Sequence, residues 1–208
     1  YGKESVRNLV QAMAGKGIIT VSGLAYGIDS LVHKYSLEFG VPTIAILGHG
    51  LGTIYPAVHR PLADRIIQSG ALITEFKFDI GPDRENFPMR NRIIAGMSDV
   101  MVVVESKAKG GSMISAQMAN NYDREVCALP GRVIDSRSEG CNRLIKTHKA
   151  HLIETYQDIA YLMNWDIESG ERKKQRMATL FDDLSQEEHL VVSLIGKNQP
   201  IGIDHLTN

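Results

Sequence analysis

Cysteine is scarce. Cys127 and Cys141 are the only two in 208 residues, and their separation fits neither a metal-ligand pair nor a redox motif. Reduced thiols in a cytoplasmic setting are therefore expected. No apolar run approaches the roughly 20 residues that cross a bilayer, so no membrane association is expected. The opening residues lack the basic-then-apolar pattern of a secretory leader. No glycine is followed at the right spacing by Gly-Lys-Ser/Thr, which removes the Walker loop and leaves triphosphate hydrolysis without support. No Ser/His/Asp or Cys/His constellation stands out, and no metal-ligand set does, so a protein with no catalytic residue, cofactor or metal is expected. Internal repeats and low-complexity tracts are absent. A net charge of −1 excludes a uniformly basic, DNA-coating chain.

What is present is the composition of an ordinary globular protein, long enough for one sizeable α/β domain and a small appendage. Charge is unevenly spread. Residues 84–149 carry eleven Lys and Arg against seven Asp and Glu, residues 1–83 seven against seven, and residues 150–208 five against ten. The middle stretch alone has a positive balance, although an unevenly charged solvated surface gives the same count.

Short apolar strands alternate with helices. Strands are expected at 18–21, 43–47, 71–75, 99–105, 125–129 and 150–153. Helices are expected at 5–14, 29–39, 57–68, 88–97, 112–121 and 142–146. The strands are continuous apolar runs, Val100–Val104 above all, as in a sheet covered on both faces. These features predict a doubly wound, mostly parallel sheet, with ligands beyond the carboxyl ends of its strands. After Trp165 the pattern lapses into a polar stretch, read as a linker over 164–184. Ser185 with Glu188 then opens a new amphipathic helix in 185–208.

Two glycine-rich turns lie at strand ends. Ser22-Gly23-Leu24-Ala25-Tyr26-Gly27-Ile28-Asp29 suits a backbone anion nest with Ser22 as a hydroxyl donor, and equally a tight connection with Asp29 capping the helix. Gly110-Gly111-Ser112 follows Lys107 and Lys109 and opens a helix, the layout of a phosphate cradle. Between them, Arg90-Asn91-Arg92 places two guanidinium forks near a helix start, where either could instead pair with a carboxylate such as Glu105. Gly48-His49-Gly50-Leu51-Gly52 imitates a dinucleotide fingerprint, with Glu75 at the distance of its acidic residue. Thr53 stands where the third glycine belongs, and Tyr55-Pro56 delays the helix, so a scaffold loop is expected. His33, four residues after Asp29, is read as a hydrogen-bonded histidine rather than a metal ligand.

Seven ordered segments together resemble the DNA-processing protein A family, also called DprA or Smf. They are residues 22–29, Gly52-Thr53-Ile54-Tyr55-Pro56, Phe87–Gly96, Val102–Glu105, Gly111–Ala116, Leu129-Pro130-Gly131 and Gly140–Ile145. The resemblance spans nearly all of residues 1–163. It implies a Rossmann-like domain there, and the start of a small winged-helix-like domain at 185–208. It implies single-stranded DNA binding, a homodimer, and help in loading the RecA recombinase during natural transformation, without enzymatic activity. The family pattern also places a strand and a Gly-Ser-Arg motif ahead of Tyr1, so the chain is expected to be a fragment. Tyr26 departs from the pattern, which commonly has a basic residue there.

On this reading Arg90 and Arg92, with Asn91 between them, grip phosphates. Main-chain amides of Gly23, Gly27, Gly111 and Ser112 hold others, helped by the Ser22 and Ser115 hydroxyls. Lys107, Lys109, Arg143 and Lys146 extend the basic track. Reversing both arginines is expected to abolish binding with little change in melting temperature. The rival from another class is a nucleotide-processing phosphoribohydrolase, but Arg132-Val133 after Pro130-Gly131 breaks its glycine-rich signature. A platform that contacts only the recombinase is a third reading.

Overall fold

The computed structural model describes residues 1–165. The chain divides into two compact units, Tyr1–Glu168 and Ser169–Asn208, and the described residues all belong to the first. The expected winged-helix-like start at 185–208, and all but the first two residues of the expected linker, lie outside the described residues.

Helix α1 (Gly2–Met13) leads into β1 (Thr20–Ser22), α2 (Ile28–Glu38) and β2 (Thr43–Ile46). A short 3₁₀ turn (Ala57–His59) then enters α3 (Arg60–Ser69) and β3 (Ala71–Ile73). The second half runs α4 (Asn86–Met97), β4 (Val100–Val103), α5 (Gly111–Asn121), β5 (Glu125–Ala128), α6 (Glu139–Lys146), β6 (His151–Leu152) and α7 (Tyr156–Leu162). Every strand pairing is parallel. The alternation of strand and helix is therefore the α/β, doubly wound arrangement expected.

In detail the pairings form two three-stranded sheets, β1-β2-β3 and β4-β5-β6, not one continuous ladder. Helix α1 ties the two together. Its Val6, Leu9 and Val10, spaced for one face, sink into one cluster with Tyr35 and Val41 from the first half and Val104, Cys127, Leu129 and Ile159 from the second. Each such side chain contributes roughly 1.5–3 kcal/mol on burial. On the other side of β4 and β5, Ala95 of α4, Ala116 and Ala119 of α5 and Leu144 of α6 close a second cluster. Both cysteines are buried and free, and burial pushes their thiols up, to about 12 for Cys127 and about 11 for Cys141.

One helix escaped the sequence reading. Helix α7 opens at Thr155, whose amide donates to the Asp158 carboxylate at 2.8 Å. Its signal was the Thr-x-x-Asp spacing, a variant of the capping box.

A buried chain of side chains joins α2 to β1 and β2. The His33 Nδ1 lies 2.7 Å from the Thr43 hydroxyl, which receives a hydrogen bond from Thr20 at 2.8 Å. Thr20 in turn lies 2.8 Å from the Ser36 hydroxyl. The His33 Nε2 has no partner. Burial pushes His33 down to about 4; Asp29 opposes this, and Arg90 and His59 add to it. The unfolded chain, near 6.5, therefore binds the proton first. Stability is complete above about pH 6.5 and falls as pH drops toward 4. Urea unfolding is expected to show a loss on the order of 2 kcal/mol between pH 6.5 and 5. His33→Asn removes most of that slope, whatever its absolute stability. An unchanged slope in the variant contradicts the assignment.

Candidate nucleic-acid interface

Parallel pairing puts the carboxyl ends of each sheet on one side. Helix α1, which starts against Glu105 just after β4 and runs on to β1, brings the two sides together as one rim. Helices α2 and α5 start there, directly after β1 and β4, and α4 starts there too, since it runs back to enter β4. The two glycine turns and the arginine triplet therefore meet at the end where doubly wound folds hold ligands.

The first turn is closed from within. Helix α2 begins at Ile28 after Gly27, whose φ of +89° suits glycine. Asp29 lies in the first helical turn and does not cap it, contrary to expectation. Its carboxylate folds back, accepting from the Ser22 hydroxyl at 2.8 Å and the Ala25 amide at 3.3 Å. Arg90, on α4, reaches over the same turn. It donates from Nη1 to the Gly23 carbonyl (2.7 Å) and to the Ile46 carbonyl, and from Nε to Asn91 Oδ1 (3.1 Å). A Cβ on Gly23 would lie 2.5 Å from Arg90 Nη2 and 2.6 Å from Asp29 Oδ2, so both side chains close directly on that glycine.

The second turn is open. Helix α5 starts at Gly111, with Gly110 before it and no side-chain cap, so the amides of its first turn, those of Gly111 and Ser112, have no helical acceptor. Lys107 and Lys109 stand exposed just ahead of it. Behind them, Ser106 is locked to the neighbouring loop. Its amide donates to the Arg137 carbonyl (2.7 Å), and its carbonyl accepts from the Gly140 amide at the start of α6 (2.8 Å). Positive charge thus gathers on the β4–β6 side of the rim, opposite the Asp29-filled turn.

Comparison with known proteins agrees with this architecture. The family model described as DNA recombination-mediator protein A matches residues 1–164. The chain belongs to that family. It is 44% identical over 147 residues to Protein Smf of Escherichia coli, covering 70% of this chain and 39% of that one. The solved structure of DNA processing protein A from Streptococcus pneumoniae superposes with a TM-score of 0.71 at 35% identity, over 77% of this chain and 56% of that one. The protein of the same name from Helicobacter pylori gives 0.72 at 30% identity, over 79% and 74%. Against the curated relatives it matches, the chain spans between 39% and 55% of their length.

Within this family member, the residues anticipated at the site fall into two groups. Gly27, Arg92, Lys107, Lys109, Gly111 and Arg143 are exposed, and Ser112 is partly so. Lys146 is exposed as well, but away from the rim, and the remaining residues are engaged internally. Arg90 is 3% exposed and serves as a brace between α4 and the ends of β1 and β2, not as a free phosphate fork. Burial lowers its pKa and the Asp29 carboxylate opposes that shift. Gly23 is buried beneath it, and Asn91 accepts its Nε–H. The Ser22 hydroxyl belongs to Asp29, and the Ser115 hydroxyl turns back to the Gly111 carbonyl at 3.3 Å. Lys146 closes α6, roughly 10 Å along the helix from its rim end, where it complements the helix dipole.

The carboxylate alternative holds for Arg92, but its partner is Glu75. Glu105 instead accepts from the Gly2 amide at 2.8 Å, at the start of α1. Two exposed arginines were missed, Arg132 and Arg137, both on the loop that leaves the carboxyl end of β5. Their signal was that position within the positively charged stretch. The glycine-rich loop after β2 is a scaffold: Gly50 and Gly52 donate their amides to the carbonyls of Ile80 (2.7 Å) and Phe78 (2.8 Å). A Cβ on Gly50 would lie 1.9 Å from the Lys77 carbonyl oxygen.

The brace reverses the expectation that charge reversal at Arg90 leaves stability intact. Removing this guanidinium orphans two carbonyls and leaves Asp29 without its buried counter-charge. Arg90→Ala is expected to cost on the order of 3 kcal/mol. Arg92→Ala, at an exposed pair, costs under about 1 kcal/mol. Chemical denaturation of the two variants checks this, and equal stabilities contradict the brace.

Proposed function

We propose that this chain binds single-stranded DNA along its carboxyl rim, as a recombination mediator and without catalysis. The observation that carries this reading is the uncapped start of α5, with exposed Lys107 and Lys109 directly ahead of it. Amides at a helix N-terminus and flanking ammonium groups hold phosphates without reading sequence. Arg132, Arg137 and Arg143 lengthen this cationic side, and Arg92 joins it when it leaves Glu75. The relative from Helicobacter pylori supports the choice of ligand, since its structure addresses a single-stranded DNA binding mode.

The family supplies the wider setting. In this reading the protein coats incoming single strands during natural transformation, acts as a homodimer and helps load the RecA recombinase, in the cytoplasm. Among the described residues, no helix is long and apolar enough to cross a membrane.

Labelled oligo-dT titrated at several salt concentrations tests the site. The logarithm of affinity should fall linearly with the logarithm of salt, by about 0.7 for each phosphate neutralised. Lys107→Glu with Lys109→Glu should weaken binding at least tenfold and flatten that slope by roughly 1.4. Stability should change by no more than about 0.5 kcal/mol, since both side chains are exposed. Unchanged affinity in this double variant contradicts the site.

A further inference from the structure

The strand side of the first glycine turn is occupied, although the start of α2, like that of α5, carries no side-chain cap. The Ser22 hydroxyl and the Ala25 amide are engaged by Asp29, and Arg90 covers Gly23. Yet the turn stands on the rim and projects an aromatic ring from its tip. Tyr26 is 69% exposed, directly before Gly27.

That ring is held in place. It meets His59 edge to face, with centroids 5.2 Å apart and planes at 61°. The His59 Nδ1–H donates to the Leu24 carbonyl at 2.8 Å, which ties the supporting imidazole to the same turn. Leu24 is fully buried with φ of +57°, a conformation a leucine adopts only when its surroundings impose it. A buried anchor, a tethered histidine and an exposed tyrosine are thus linked in one contiguous group. Single exposed aromatics are common on protein surfaces, but this one is backed by a ring that is itself bonded to the same turn.

We propose that Tyr26, backed by His59, is a nucleobase-stacking platform. The rim then has two walls: a cationic one at α5 for phosphates and an aromatic one at Tyr26 for a base of the same strand. This assignment rests on the single-strand reading above. Stacking is tolerant of sequence because every base has a π-face, and a flexible single strand can splay a base toward the ring, whereas a duplex cannot. Tyr26 adds affinity without neutralising a phosphate.

The test pairs oligo-dT with an abasic oligomer of the same length and phosphate count, on the full chain. The parent should prefer oligo-dT. Tyr26→Ala should lose about tenfold or more on oligo-dT, bind the abasic strand as the parent does, and keep the parent's salt slope. Tyr26→Phe should retain the parent's affinity, and the melting temperatures should match. A parent that binds both strands equally overturns the platform and leaves the phosphate site standing. So does a Tyr26→Ala variant that loses nothing, or that loses equally on both strands. A parent that binds neither strand overturns the single-strand reading, and this proposal with it.

Discussion

The rim depends on a single buried cation. Arg90 leaves α4 and clasps the carbonyls of Gly23 and Ile46, the points where β1 and β2 end. Those carbonyls have run out of strand partners, and a guanidinium can satisfy both at once. A buried charge is tolerated only with a neutralising neighbour, and Asp29 is the carboxylate coupled to it. Asp29 in turn fixes the first glycine turn through Ser22 and Ala25. The start of α4, the ends of two strands and the start of α2 are therefore one electrostatic unit.

This unit sets the division of labour across the rim. On the β1–β3 side, Arg90 works with Asp29 and Arg92 with Glu75, so positive charge is largely compensated. On the β4–β6 side, Lys107, Lys109, Arg132, Arg137 and Arg143 are exposed. Among the carboxylates on that side, Glu105 is taken by the start of α1 and Asp135 by the Arg137 amide, while Glu139 lies in the first turn of α6. In the proposed reading a polyanion is drawn to one half, while the other half offers the Tyr26 ring. The same economy explains the loop after β2, whose glycine amides look available in the sequence but are bonded to the 77–80 segment.

Much of the fold was legible in the sequence because its signals are local. The run Val100–Val104, the glycines after α1, α2 and α3 and the 3.6-residue spacing in α1 require no tertiary knowledge. The family segments located the rim for the same reason. What stayed illegible was the direction in which polar side chains point. Arg90 and Arg92 are two residues apart and chemically identical, yet one is buried and the other exposed, because positions two apart on a helix face different ways. Asp29 reads as a cap from its position, but the helix already starts at Ile28, with Gly27 as the residue before it, and the carboxylate turns back into the strand end. Ser22 and Ser115 read as free hydroxyls because sequence cannot show an internal acceptor. The division into two three-stranded sheets likewise has no mark in the strand sequences themselves.

The central claim is that main-chain amides at the start of α5 hold the phosphate backbone of a single strand. Titrating the ¹⁵N-labelled protein with a short oligo-dT while following its amide resonances tests this most directly. Large, saturable shifts are predicted at Gly111 and Ser112, with little change at Gly50 and Gly52, whose N–H groups already have acceptors. Silence at Gly111 and Ser112, with the strongest shifts on the α1–α7 face instead, would contradict it.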